Sequence, residues 1–134
     1  MAIQQLIYVS TASESYGASV MRDIQAASAR NNVPANISGL LLFDGMRFLQ
    51  VLEGPARAIR ERYAQISKDP RHFGASVVSQ KNASARSFGN WAMLCHEIVD
   101  GKHLPDAIAP FLVDADQEIR DLFAGFARIR SKSG

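Results

Sequence analysis

Residues 37–54, ISGLLLFDGMRFLQVLEG, carry two apolar arms around an Asp-Gly pair. The pattern predicts a β-hairpin with Asp44-Gly45 in a two-residue type I′ turn. After Arg47 the second arm is apolar on both faces except at Gln50. Strands apolar on both faces need cover on both sides, which confines the chain to a layered architecture. Alternation places Phe48, Gln50 and Leu52 on one face. An unpaired buried amide costs about 1–3 kcal/mol, so Gln50 must have partners. Either the surrounding protein satisfies it, the commoner case, or it faces a ligand.

The segments around the hairpin set the topology. Gln4–Val9 reads as a strand, and Ser15–Asn32 as a helix with Val20, Ile24 and Ala27 inward and Val33-Pro34 closing it. Gly54-Pro55 breaks the hairpin and starts a second helix, Ala56–Lys68, with Ile59, Tyr63 and Ile66 at helical spacing. Asp69-Pro70 ends that helix. Gly74–Gln80 reads as a fourth strand, Lys81–Gly89 as irregular, and Trp91–Val99 as a fifth strand. The order predicts an α+β fold, ferredoxin-like β-α-β-β-α-β with an added strand. Leu104–Val113 and Asp116–Arg130 read as two more helices, the second with Ile119, Leu122, Phe123 and Phe126 on one face. They are expected to pack on the sheet face that the first two helices leave open. Residues 1–99 thus form a core and residues 100–134 an extension of the same unit, ending in a disordered tail.

Composition narrows the function. With 47% hydrophobic residues in 134, one domain can bury a sizeable core. A net charge of +2 is too small to argue for direct nucleic-acid or membrane binding. No apolar run is long enough to span a bilayer, and the start lacks signal-peptide character, so a cytoplasmic protein is expected. A single cysteine, Cys95, excludes an internal disulfide framework. His72, His96 and His103 lack metal-ligand spacing, and no phosphate-binding glycine motif occurs. The Lys and Arg residues of the second helix read as a solvated face.

Few residues remain that could carry chemistry. Ser28 and Asn32 continue the stripe of Val20 and Ile24, so the first helix turns polar towards its end. Asn31-Asn32 either caps that helix or forms a polar rim facing a ligand. Tyr8 is either a core residue with a paired hydroxyl or a hydrogen-bond and redox partner. Trp91 and Met93 share a strand face and fit a core as well as a cofactor wall. Tyr8, Asn32, Gln50 and Met93 come from four elements that can converge. Arg71-His72 is a small basic spot able to meet a carboxylate or a phosphate.

Taken together, LIYVS with Tyr8, NNVPANISGLLLFDG with Asn32, FLQVLEGP with Gln50, DPRH with Arg71 and His72, and FGNWAM with Trp91 and Met93 resemble the BLUF domains. These are blue-light sensors that bind flavin. No single piece is specific, but the five in this order over Gln4–Ile98 are. The resemblance implies FAD held non-covalently between the first two helices, with FMN or riboflavin able to take its place. It implies a photochemical switch of Tyr8 and Gln50 with Trp91 and Met93 beside it. It implies cofactor binding by Ile24, Ser28, Asn31, Asn32, Phe48, Gln50, Arg71 and His72. The chain departs from the family at Val9, where many members carry Arg, and Asn31 is a variable position.

The resemblance implies a photoreceptor and not an enzyme. Light would drive electron and proton donation from Tyr8 and rearrangement of the Gln50 amide, whose oxygen only accepts and whose nitrogen only donates. Because 100–134 has room only for helices, the chain is expected to signal through a separate effector, such as a cyclic-dinucleotide phosphodiesterase or a transcriptional regulator, or as a homo-oligomer. The competing expectation is a ferredoxin-like module that binds another small ligand without sensing light. An acylphosphatase-like hydrolase needs a basic first loop, which Thr11–Tyr16 lacks. RNA binding needs exposed sheet aromatics.

Overall fold

The computed structural model describes residues 3–13, 18–43, 46–88, 93–97, 113, 117 and 120–123. The elements are β1 (Ile3–Ala12), α1 (Ala18–Ala35), β2 (Ser38–Phe43), β3 (Arg47–Gly54), α2 (Ala56–Ser67), β4 (His72–Ala83) and β5 (Leu94–Glu97). The sheet order is β4-β1-β3-β2-β5. The first four strands pair antiparallel, and β5 lies parallel to β2 with Leu40 opposite Leu94. This is the ferredoxin-like arrangement expected from the element order. Of the expected fifth strand Trp91–Val99, Leu94–Glu97 is strand and Met93 is not, and Trp91, Ala92, Ile98 and Val99 lie outside the described residues.

Alternation in the strands sorts the core into two clusters. Leu6, Tyr8, Leu41, Phe43, Phe48 and Leu52 join Ile59 of α2, and Ile24 of α1 packs against them. On the opposite face Ile7, Leu40, Leu42, Leu49 and Val51 join Phe88 and Phe123. Phe123 is helical and buried, and Leu122 packs beside it. Val113, Gln117 and Arg120–Phe123 are the described helical residues after β5; the bounds of the two expected helices and the tail lie outside the described residues.

Three boundaries differ from the sequence reading. Pro34 sits inside α1, which runs on to Ala35. The helix closes one turn later, at Asn36, whose φ of 60° is left-handed. Asn36 N–H donates to Val33 O at 3.1 Å and Ile37 N–H to Asn32 O at 2.9 Å, a Schellman closure. A proline in the last turn removes one hydrogen bond without breaking the helix. The capping asparagine is therefore Asn36, not Asn31 or Asn32.

The hairpin register is also wider than an Asp-Gly turn requires. Phe43 stands opposite Phe48, which leaves four residues between them. Asp44-Gly45 itself lies outside the described residues. Two contacts favour this register: Ala12 N–H donates to Met46 O at 2.7 Å, and the Phe43 and Phe48 rings stack at 4.6 Å. The shift is even, so every side chain keeps its expected face.

β4 extends beyond Gly74–Gln80 at both ends and includes Lys81–Ala83, expected to be irregular. It pairs along the whole of β1, from Ile3 opposite Ala83 to Ala12 opposite His72, with register shifts at Ile7/Tyr8 and Val9/Thr11. Gly74 absorbs a left-handed φ of 66°. A strand at the sheet edge tolerates the polar composition that hid it in the sequence.

Candidate functional site

β1 and β3 place Tyr8 directly opposite Gln50. Both are buried, and the Tyr8 hydroxyl donates to Gln50 Oε1. Gln50 Nε2 donates to Met93 Sδ at 3.4 Å. The amide, expected from the sequence to have partners, uses both ends, with phenol on one side and thioether on the other. Gly39 makes room for this: a Cβ there would stand 3.3 Å from Met93 Cε.

The Tyr8–Gln50 pair forms the inner wall of an open cleft. Ile24, Ala27 and Ser28 of α1 line one side; Arg62 and Ile66 of α2 line the other. Leu41 and Phe48 complete the apolar wall, and Asp69, Arg71 and His72 complete it where α2 turns into β4. Tyr63 meets the Tyr8 ring edge-on at 5.3 Å, which holds the phenol in place. His72 Nε2–H donates to Ile66 O at 2.6 Å, while its Nδ1 is buried without a hydrogen-bond partner.

Burial holds the Tyr8 phenol well above the usual tyrosine range; Tyr63 and Asp69 push the same way, and the Arg62 charge opposes them. The phenol is thus a firm proton holder. Hydrogen bonds from Arg71 hold the Asp69 carboxyl below its usual range, against the effect of burial. Arg71 Nε reaches both Asp69 oxygens at 3.0 Å, Nη2 reaches Oδ2 at 2.5 Å, and the Arg71 backbone N–H adds a bond at 2.9 Å.

The structure gathers Tyr8, Ile24, Ser28, Phe48, Gln50, Arg71 and His72 around one cleft. Met93 joins them through Gln50. Asn32 is fully buried near the end of α1, Asn31 is exposed, and Trp91 lies outside the described residues. The sequence reading missed Arg62, assigned to a solvated face, and Asp69, read only as a helix stop. Arg62 was detectable: Ile59, Arg62, Tyr63 and Ile66 fall at i, i+3, i+4 and i+7, the spacing of one inward stripe.

The family model described as BLUF, sensors of blue-light using FAD, matches residues 3–94. The blue light- and temperature-regulated antirepressor BluF of Escherichia coli (strain K12) is 33% identical over 88 residues, 66% of this chain and 22% of that protein. The alpha subunit of a photoactivated adenylate cyclase of Euglena gracilis is 31% identical over 93 residues, 68% of this chain and 9% of that protein. The chain thus spans under a quarter of these relatives. Among solved structures, BlrB, a BLUF protein in its dark state, superposes with a TM-score of 0.76 at 26% identity, covering 95% of this chain and 96% of that one. BlrP1 of Klebsiella pneumoniae, in a manganese and cy-diGMP complex, superposes with a TM-score of 0.77 at 26% identity, covering 94% of this chain and 33% of that one.

Proposed function

This chain belongs to the BLUF family, blue-light sensors using FAD, and we propose that its switch is the chain of contacts Tyr8–Gln50–Met93. That chain on the cleft wall is the observation that carries the reading. Residues 1–99 form the flavin-binding unit and residues 100–134 an extension of the same body.

The cleft suits a flavin. Ile24, Leu41, Phe48 and Ile66 offer apolar surface to a flat ring. His72 Nδ1 and Arg62 Nε are buried without hydrogen-bond partners and would meet polar atoms of the ligand. Ile24, Ser28, Phe48, Gln50, Arg71 and His72 would hold it, with Asn31 and Asn32 at the end of α1. FAD is the proposed form. Bound flavin absorbs blue light and, once excited, draws an electron.

The protein's part lies in Tyr8 and Gln50. Tyr8 holds its proton on Oη, directed at Gln50 Oε1, and burial keeps it there in the dark. An electron lost from Tyr8 would carry its Oη proton towards Gln50 Oε1, the acceptor it faces, and both would return to Tyr8 afterwards, with the phenolic oxygen in between no longer a donor. The amide can then turn, presenting its NH2 to the phenolic oxygen and its oxygen towards Met93. The Met93 contact opens, and Met93 directly precedes β5. This is signalling and not turnover.

The signal passes to a separate effector in the cytoplasm, a cyclic-dinucleotide phosphodiesterase or a transcriptional regulator, or through a homo-oligomer. An antirepressor, an adenylate cyclase and a protein in a cy-diGMP complex among the similar proteins support an effector partner. Among the described residues no helix is long and apolar enough to cross a membrane. Absorption spectra before and after blue light test the reading: a yellow protein with a small, reversible red shift is expected. A folded protein that stays colourless with added flavin would instead be a small-ligand module of the same topology.

A further inference from the structure

Two arginines line the cleft, and they differ. Arg71 is committed to Asp69 through the bidentate pair described above, so the cleft's carboxylate and that guanidinium cancel. Arg62 makes no such close pair, and the Asp69 charge acts on it only at longer range. Its Nη1 donates to Gln65 Oε1 at 3.0 Å, a neutral acceptor one turn along the same helix. Its Nε is buried and makes no hydrogen bond. Among the described residues no carboxylate lies within ion-pair distance of it. Burial lowers its pKa, yet a guanidinium remains charged under any ordinary condition.

A cation drawn partly out of water without a counter-ion is unfavourable. An anion brought by the ligand removes that penalty, and guanidinium edges match phosphate with paired, charge-assisted hydrogen bonds. We propose that Arg62 binds a phosphate of the flavin nucleotide and makes this chain select FMN and FAD over riboflavin. The inference rests on the flavin reading above and narrows it. Arg71 offsets much of the Asp69 charge that would otherwise oppose the phosphate. Arg62 lines the same cleft as Tyr8 and Gln50, so it links recognition of the tail to placement of the ring.

Titrating flavin-free protein with riboflavin, FMN and FAD by fluorescence quenching, at low and high salt, tests this. Wild type is expected to bind FMN and FAD about tenfold or more tightly than riboflavin, the scale of one charge-assisted hydrogen-bonded pair in a half-open site. Salt should weaken the nucleotides more than riboflavin. Arg62→Gln should collapse the preference, and Arg62→Lys should keep part of it. Circular dichroism of each variant controls for folding. Equal affinity of wild type for all three flavins overturns the inference but leaves the flavin reading intact. So does an Arg62→Gln variant that weakens all three alike. Protein that binds none of the three overturns both.

Discussion

Gly39 and Met93 share one space: the missing side chain of Gly39 leaves the niche that the Met93 methyl fills, 3.3 Å from where a Cβ would stand. The same Cβ would overlap the Val51 carbonyl oxygen of the neighbouring strand, which is backbone and cannot step aside. Gly39→Ala is therefore expected to destabilise the protein by about 1–3 kcal/mol, the range for overpacking. A lower denaturant midpoint measures this; an unchanged midpoint contradicts the packing.

Gln50→Leu and Tyr8→Phe are expected to keep bound flavin and to lose the reversible red shift. Each swap keeps most of the side-chain volume, so the cleft survives. Leucine has no amide to turn. Phenylalanine has no O–H to give up, and leaves Gln50 Oε1 without its donor at a cost of about 1 kcal/mol. A full light-induced shift in Gln50→Leu would place the switch elsewhere.

Glu53→Gln is expected to destabilise nearly as much as Glu53→Ala, by about 3 kcal/mol or more. The carboxylate is fully buried on the face opposite the cleft. Its oxygens accept from Ser87 N–H at 2.7 Å, Phe88 N–H at 2.8 Å, and Gln5 Nε2 and Ser38 Oγ at 3.2 Å each. Arg86 ties the same segment down through Ser38 Oγ, Glu53 O and Asn36 O. A glutamine would turn an NH2 towards two of these donors and leave one backbone N–H unpaired. Urea midpoints of the two variants give the comparison; a Gln variant as stable as wild type refutes it.

Asp69→Asn is expected to lower the melting temperature at neutral pH, with the difference from wild type shrinking in acid. The folded carboxyl has a depressed pKa, first because Arg71 bonds its charged form. Its contribution is therefore present above the unfolded value of about 3.9 and is lost as pH falls through the lower folded value. The pair is partly exposed, so the effect is modest. Melting curves between pH 7 and pH 2 check it: a difference that grows in acid reverses the sign.

Strand and helix order and the parity of Phe48, Gln50 and Leu52 were legible in the residues themselves, whereas the grouping of Tyr8 with Gln50 was only permitted by them and came from the family resemblance. Order and parity follow from periodicities of two and 3.6, which are properties of the local chain. An amide in an otherwise apolar strand also marked the site, because leaving it unpaired is unfavourable in any fold. Tertiary structure decided the rest. That Met93 meets the Gln50 NH2 depends on β5 lying beside β2 and on the gap above Gly39. The hairpin's wider register goes with Met46 held by β1, and the full length of β4 with pairing along that same strand. Arg62 changed from surface cation to cleft lining because α2 lies against Tyr8. These outcomes join residues far apart in the chain. Their energies depend on which surfaces are brought together, and local patterns hold no record of that.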